Sequence, residues 1–317
     1  MSQRSFSELE FDTKKRKTRR ELFLEKLEVL MPWQKLEAPI ARYYAKAGSQ
    51  GGRPPYPLST MLRVYLMQLV YNLSDPAMED ALYEIESMRR FAGLSLERIP
   101  DETTILNFRH LLERHELGKK LFKEINAHLH DNGLMLREGT IVDATIIAAP
   151  SATKNREGER DPQMRQVKKG NEWHFGMKMH IGVDDALGLI HSVETTSANE
   201  HDITVADKLL HGEERRVWGD AGYVGIDKRT EHEGRETDWL IGLRPGHRRL
   251  LEAGSELAEA ERIKASVRAK VEHAFFYIKR MFGYSKVRYR GLAKNTNRLY
   301  VLSGLTNLLR SQKYLLA

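Results

Sequence analysis

The chain has 317 residues, enough for two domains of ordinary size, and its 41% hydrophobic and 30% charged content excludes a disordered or membrane-embedded protein. It contains no cysteine, which excludes disulfides and thiolate zinc sites and suits a reducing compartment. The formal net charge of +7 favours a polyanionic partner such as nucleic acid.

The first 137 residues have the patterns of helices without strands. Residues 1–56 combine a helical stretch with an arm over residues 1–20, which has no apolar leader segment and carries cations at positions 14, 15, 16, 17, 19 and 20. Four capped helices follow in residues 57–137, with Ser59, Asp75 and Asp101 predicted at helix starts and Asn132 and Gly133 at the end of the fourth. A DNA-binding helix-turn-helix and a purely structural bundle both fit this helical domain.

From residue 138 to 317 the pattern becomes mixed α/β. Residues 139–150 are apolar on both faces, which predicts a strand buried in the centre of a sheet. Four more strands are predicted at 173–183, 189–197, 216–220 and 239–243, and helices at 202–210, 258–282 and 296–315. Residues 151–171 are charged and lack apolar periodicity, so we expect a long loop there. The fold class is thus a mixed five-stranded sheet with helices, preceded by an all-helical domain.

Two aspartates stand out within these strands. Asp143 lies in the middle of the central strand, where a carboxylate is costly unless a backbone N–H, an arginine or a metal ion satisfies it. Asp220 ends another strand beside a glycine turn. If the two approach each other, their repulsion calls for a cation, and oxygen ligands suit Mg²⁺ or Mn²⁺. Asp184 and Asp185 instead fit a turn, and Asp202 fits a helix N-cap.

A third carboxylate, Glu272, is the only acidic residue between Arg262 and Arg290. The same segment contains nine cations, at positions 262, 264, 268, 270, 279, 280, 286, 288 and 290. Helical spacing places Glu272 on one face with Arg268 and Lys279. A surface salt bridge to Arg268 would account for Glu272 alone, but not for so many cations. The pattern indicates a phosphate-binding track that crosses a carboxylate.

The remaining candidates are aromatic or imidazole side chains. No two of His174, His180, His191, His201 and His211 have helical zinc-ligand spacing, so we interpret all five as structural or DNA-facing. Trp173 is expected to pack in the core, with stacking on an exposed base as the alternative.

Three blocks of the sequence carry a resemblance: VDATIIAAP around Asp143, WGDAGY around Asp220 and RAKVEHAFFYIKRMFG around Glu272. They resemble the conserved blocks of the DDE transposases of bacterial insertion sequences. The segment RPPYPLSTMLRVYLMQLVYNLSDPAMEDALYEI also resembles the helical leader of the insertion-sequence-five family, so the resemblance covers about residues 10–310. It departs from many members at Ala265, where they carry tyrosine.

The resemblance implies an RNase H-like catalytic domain over residues 138–317 and a helical DNA-binding or dimerisation domain over 57–137. Asp143, Asp220 and Glu272 would then be the catalytic carboxylates and would hold two Mg²⁺ or Mn²⁺ ions. The implied enzyme binds element ends, cleaves them and joins them to target DNA. A nuclease without strand transfer and a non-catalytic DNA-binding regulator remain as alternatives.

The expected partners are double-stranded DNA, as element end and as target, and further copies of the chain in a dimer or higher assembly. Phosphate contacts are assigned to Lys168, Lys169, Lys178, Arg268, Lys279, Arg280, Lys286, Arg288 and Arg290. We expect a cytoplasmic, nucleoid-associated protein, because the most apolar long stretch is too short and too polar to span a bilayer.

Overall fold

The computed structural model describes residues 11, 13–45, 54–135, 138–154, 156 and 158–316. They form two compact units, one up to His115 and one from Glu116 to Leu315. In the described ranges, no helix is both long enough and apolar enough to cross a membrane.

The first unit consists of helices among its described residues: α1 (Arg19–Leu30), α2 (Trp33–Ala41), α3 (Leu58–Val70), α4 (Asp75–Glu84), α5 (Glu86–Ala92) and α6 (Glu102–Arg114). The single helix expected before residue 46 is divided in two around Pro32, which cannot donate a helical hydrogen bond. Leu24, Val64, Met78 and Ile105 come from different helices and meet in one buried cluster. Burial of this apolar surface, at about 25 cal/mol per Å², stabilises the unit.

The three helices begin within two residues of the predicted positions, but Ser59 and Asp75 are not their N-caps. Ser59 lies inside α3, whose N-cap is Pro57. Asp75 is the first residue of α4, and Ser74 caps that helix. The carboxylate of Asp75 instead accepts a 2.7 Å hydrogen bond from Arg109 of α6. The third start is confirmed, because Asp101 Oδ1 accepts a 2.6 Å hydrogen bond from the Thr104 amide.

The basic arm is partly described. Lys14 pairs with Glu21 at 2.5 Å and Lys17 with Glu25 at 2.6 Å, so these two cations contact α1. Residues 1–10 and 12 of the predicted arm lie outside the described residues.

The second unit begins with α7 (Leu117–Asp131), which ends at Asn132 and at Gly133 with φ of 70°, as predicted. The sequence grouped this helix with the preceding ones. Gly118 lies within α7, and its amide donates a 2.8 Å hydrogen bond to Asn297 of the last helix. The remaining helices are α8 (Ala206–Leu209), α9 (Pro245–Arg248), α10 (Glu256–Phe276) and α11 (Leu292–Leu315).

One mixed sheet of six strands forms the centre of this unit: β1 (Gly139–Ala148), β2 (Arg165–Lys169), β3 (Glu172–Asp184), β4 (Ile190–Ser197), β5 (Arg216–Gly219) and β6 (Asp238–Ile241). Their order is β2-β3-β1-β5-β6, and β4 pairs with the other part of β3. The central position of β1 is confirmed. It pairs antiparallel with β3 and parallel with β5, and Ile141 and Val142 are fully buried.

The sixth strand, β2, occupies part of the expected long loop. It forms a hairpin with the start of β3, with Lys169 opposite Glu172. Only Val167 of its five residues is even half-buried. Backbone pairing rather than an apolar face therefore defines this strand, which explains why hydrophobic periodicity did not reveal it.

The two faces of the sheet are covered differently. Val142 and Val217 pack against Ala206, Leu209 and Tyr223 on one face. Helix α10 contacts β1 and β5, and its Lys270 Nζ donates a hydrogen bond to the Asp185 carbonyl. Helix α11 is buried nearly all round, and Asn307 bonds both backbone groups of Ile190 at 2.8 and 2.7 Å. This bonding fixes α11 against β4.

Asp184 holds the turn between β3 and β4. Its buried carboxylate accepts hydrogen bonds from the amides of Ala186, Leu187 and Leu189 at 3.1, 2.7 and 2.6 Å. We predict that Asp184→Ala lowers the free energy of unfolding by about 2–3 kcal/mol, because buried amides lose their acceptor. Urea denaturation measures this. The exposed Asp227→Ala should stay within about 0.5 kcal/mol of the parent, and equal stability of both variants would contradict the prediction.

Candidate active site

The parallel pairing of β1 with β5 positions the two candidate aspartates. Gly139 is opposite Arg216 and Ile141 is opposite Trp218. Continuing this register by two residues places Asp220, directly after β5, level with Asp143. Neighbouring strands are ~4.8 Å apart, and paired residues of parallel strands point to the same face. The fold therefore brings the two carboxylates together.

The electrostatics of Asp143 agree with this placement. Burial raises the pKa of Asp143 to about 6, although its Oδ1 accepts a 2.7 Å hydrogen bond from the Ala144 amide. The nearby charges of Asp220 and Asp202 raise this pKa further, whereas the charge of Arg268 lowers it. A carboxylate in these surroundings is costly to ionise unless another cation approaches.

Asp220 is held by the turn that follows β5. Its Oδ1 accepts a 2.8 Å hydrogen bond from the Gly222 amide and so caps the 3₁₀ turn Ala221–Tyr223. The buried Tyr223 of this turn has its pKa raised well above the usual value, first by burial and then by Asp143, Asp202 and Asp220. Within the part of the chain that the structure describes, the Tyr223 hydroxyl has no hydrogen-bond partner.

Asp202 is a neighbour of this pair that the sequence did not identify. It was predicted as a helix N-cap, but His201 occupies that position and Asp202 is the first residue of a 3₁₀ turn. Its Oδ1 lies 2.9 Å from Lys178 Nζ and 3.7 Å from Nδ1 of the buried His180. Burial lowers the pKa of His180 to about 4. The one sequence signal for this acid was Lys178, which lies between two methionines in a strand. A lysine buried in such a strand needs a nearby acidic partner.

Helix α10 brings Arg268 to the two aspartates. A Cβ atom placed on Gly242, just after β6, would lie 3.3 Å from Arg268 Nη1 and 4.0 Å from Asp220 Cα. Gly242 therefore leaves room for the guanidinium group beside Asp220. Arg268 balances part of the negative charge of the pair, which agrees with its effect on the pKa of Asp143.

Glu272 lies one turn after Arg268 and is exposed. Among the described residues, no three His, Asp or Glu side chains form a group that could hold a metal ion. Glu261 has a structural environment: it is 5% exposed and accepts a 3.0 Å hydrogen bond from the Leu243 amide.

The cations expected to contact DNA differ in how far they are exposed to solvent. Lys178 is buried, with Nζ bonded to the Glu200 carbonyl at 2.6 Å and to Asp202, and this placement argues against its predicted phosphate contact. Exposed positions are taken by Lys168, Lys169, Arg280, Lys286, Arg288 and Arg290.

Lys279 lies in the π-helical turn Tyr277–Met281 that ends α10. Burial lowers its pKa, and the charges of Lys169 and Arg280 lower it further. Cations from the β2–β3 hairpin and from the end of α10 therefore converge. π-Helical turns are frequent at functional sites.

The sequence was also compared with known protein families. The family described as "Transposase DDE domain" matches residues 135–308, and the family described as "Transposase domain (DUF772)" matches residues 11–111. The chain belongs to the DDE transposase family. It is accordingly an enzyme of metal-dependent phosphoryl transfer on DNA, and its family implies an RNase H-like fold for the mixed sheet. No solved structure matches the chain.

DDE transposases use divalent metal ions, and the two aspartates fit such an ion. Their carboxylate oxygens are hard ligands, and positive charge relieves their repulsion. Among the described residues no third acidic side chain completes a metal-binding group with them, so the fit rests on the pair.

We predict that Glu272→Gln lowers the rate of DNA cleavage about a hundredfold or more and leaves DNA binding intact, because it removes a charge that is required only for chemistry. Cleavage of labelled element ends and gel-shift assays measure the two effects. Glu259→Gln is the matched control, since Glu259 is exposed on the same helix and pairs with Arg262 at 2.6 Å. Equal cleavage by both variants would remove Glu272 from the site.

Proposed function

We propose that the protein is the transposase of an insertion sequence of the insertion-sequence-five family, and that it cleaves the element ends and joins them to target DNA. The observation that carries this proposal is the alignment of Asp143 and Asp220 by the β1–β5 pairing, with Arg268 beside them. The family match supports the class of reaction.

Asp143 and Asp220 are the proposed ligands of two Mg²⁺ or Mn²⁺ ions, with Glu272 as the third carboxylate. When bound, the ions supply charge that activates the attacking oxygen and stabilises the leaving oxygen of an in-line displacement at phosphorus. Arg268 orients the carboxylates and offsets their charge. Asp220 is itself held by the Gly222 amide, so its position does not depend on substrate.

The proposed reaction has two displacements. In the first, a water oxygen bonds to the phosphorus at the element end, and the bond from phosphorus to the 3′ oxygen breaks, which releases a 3′-hydroxyl. In the second, this 3′ oxygen bonds to a phosphorus of the target strand, whose own 3′ oxygen leaves. Each step exchanges one phosphodiester bond for another P–O bond, so no external energy source is required.

DNA recognition is proposed for two surfaces. Residues 57–137 would bind element ends or a second copy of the chain, with residues 1–56 as a basic arm. In the domain over residues 138–317, the exposed cations of the hairpin and of the segment after α10 would contact phosphates. Action on two element ends favours a dimer or higher assembly.

The pathway is tested by incubating the protein with Mg²⁺, element ends and a supercoiled target. We predict joined products for the parent, and for Asp143→Asn DNA binding without nicking or joining, because a neutral side chain cannot replace a carboxylate ligand. Exposed Asp227→Asn is the control. Nicked products alone would indicate a nuclease, bound but intact DNA a regulator, and normal nicking by Asp143→Asn would remove this residue from the site.

We predict that DNA affinity falls steeply with salt concentration, because bound phosphates release counterions. The double substitution Lys168→Ala and Lys169→Ala should flatten the log–log slope by roughly one to two units. Fluorescence anisotropy across a salt series measures the slope. Lys228→Ala with Lys313→Ala, two exposed lysines elsewhere in the second unit, should leave it unchanged. Equal slopes for the two double variants would show that the hairpin does not contact phosphate.

A further inference from the structure

The β2–β3 hairpin carries the most exposed of the four tryptophans. Trp173 is 65% exposed, whereas Trp33 and Trp239 are half-buried and Trp218 is 8% exposed. The expectation that Trp173 packs in the core is therefore wrong. A single exposed apolar side chain is ordinary, so the groups around Trp173 decide whether it marks a binding site.

The neighbours of Trp173 form a strip with two aromatic rings, two cations and one amide. Trp173 is paired with Lys168 and Phe175 with Gln166, so these four side chains share one face of the hairpin. The guanidinium of Arg160 lies over the Phe175 ring, 5.5 Å from its centroid. The acidic residue of the hairpin, Glu172, alternates onto the other face, where it is paired with Lys169.

The positive charge extends beyond the strip. Arg160 also lines a groove of about 360 Å³ together with Arg288 and Arg290 from the segment after α10. The acids Glu159 and Asp161 line the same groove, so its charge is mixed but mainly basic. The hairpin thus presents ring faces between cations, which is the chemistry of surfaces that bind single-stranded nucleic acid.

We propose that the Trp173–Phe175 strip binds an unpaired stretch of a DNA strand by stacking nucleobases on Trp173, with Lys168 and Arg160 on the flanking phosphates. The strip is separate from the aspartate pair: Ile181, opposite Asp143, is eight residues along β3 from Trp173, or roughly 26 Å of strand. The proposal rests on the proposed function, since that function supplies the DNA, but it does not require the metal site.

Equilibrium binding to two probes separates stacking from charge. One probe is a fluorescein-labelled oligothymidylate, and the other is an abasic strand of equal length with the same phosphates but no bases. Both are measured without divalent metal, in the presence of EDTA. We expect the parent to prefer oligothymidylate, and Trp173→Ala to lower that affinity about tenfold while leaving abasic binding unchanged. Trp173→Phe should retain most of the preference, and Lys168→Ala should weaken binding of both strands.

Matched controls keep the result specific. Tyr314→Ala removes another exposed aromatic from the second unit and should keep the parent's preference. Asp143→Asn should also keep it, so a failure of the metal site is distinguished from a failure of the strip. Trp173 is exposed, so its replacement should leave the thermal unfolding temperature unchanged.

The proposal is overturned if the parent does not distinguish the two strands, or if Trp173→Ala preserves the parent's ratio of affinities. Sedimentation of the same variants identifies the rival occupant. If Trp173→Ala dissociates an assembly without changing the ratio, the strip contacts a second copy of the chain and not DNA.

Discussion

The candidate site depends on one constraint, the parallel pairing of β1 with β5. Gly139 is paired with Arg216, which lies 77 positions later in the chain. Asp220 lies the same 77 positions after Asp143, so this register places the two aspartates level with each other. Burial of Asp143, and to a smaller extent the charge of Asp220, raise the pKa of Asp143 to about 6, so the fold maintains an electrostatically unfavourable arrangement. Groups perturbed in this way cluster at functional sites, because a ligand can compensate for the cost.

The surrounding structure makes this arrangement rigid. Burial of β1 between two packed faces prevents the strand from slipping, since a shift of one residue would turn Asp143 to the other face. The Gly222 amide holds Asp220, and Gly242 leaves space for Arg268. Asp202, at the start of its 3₁₀ turn, forms an ion pair with Lys178 of β3, so it can influence the pair electrostatically while its own charge is balanced.

Much of this could be predicted from sequence. Periodicity located five of the six strands, and the apolar stretch around Asp143 identified β1 as central, because burial on both faces leaves a direct trace in composition. The residues that were missed depend on long-range packing. β2 has no apolar face, Asp202 at a helix start was indistinguishable from an N-cap, and Trp173 had the composition of a core residue. The position of Glu272 relative to the aspartates likewise depends on how α10 crosses the sheet, which helical periodicity alone does not determine.

The central claim is that Asp143 and Asp220 together bind a divalent metal ion. Isothermal titration of Mn²⁺ into the protein without DNA tests it most directly, with Asp220→Asn and the exposed Asp227→Asn compared with the parent. We predict that the parent and Asp227→Asn bind Mn²⁺ saturably, and that Asp220→Asn binds Mn²⁺ with an affinity at least about tenfold lower. Equal Mn²⁺ affinity for all three proteins would contradict it.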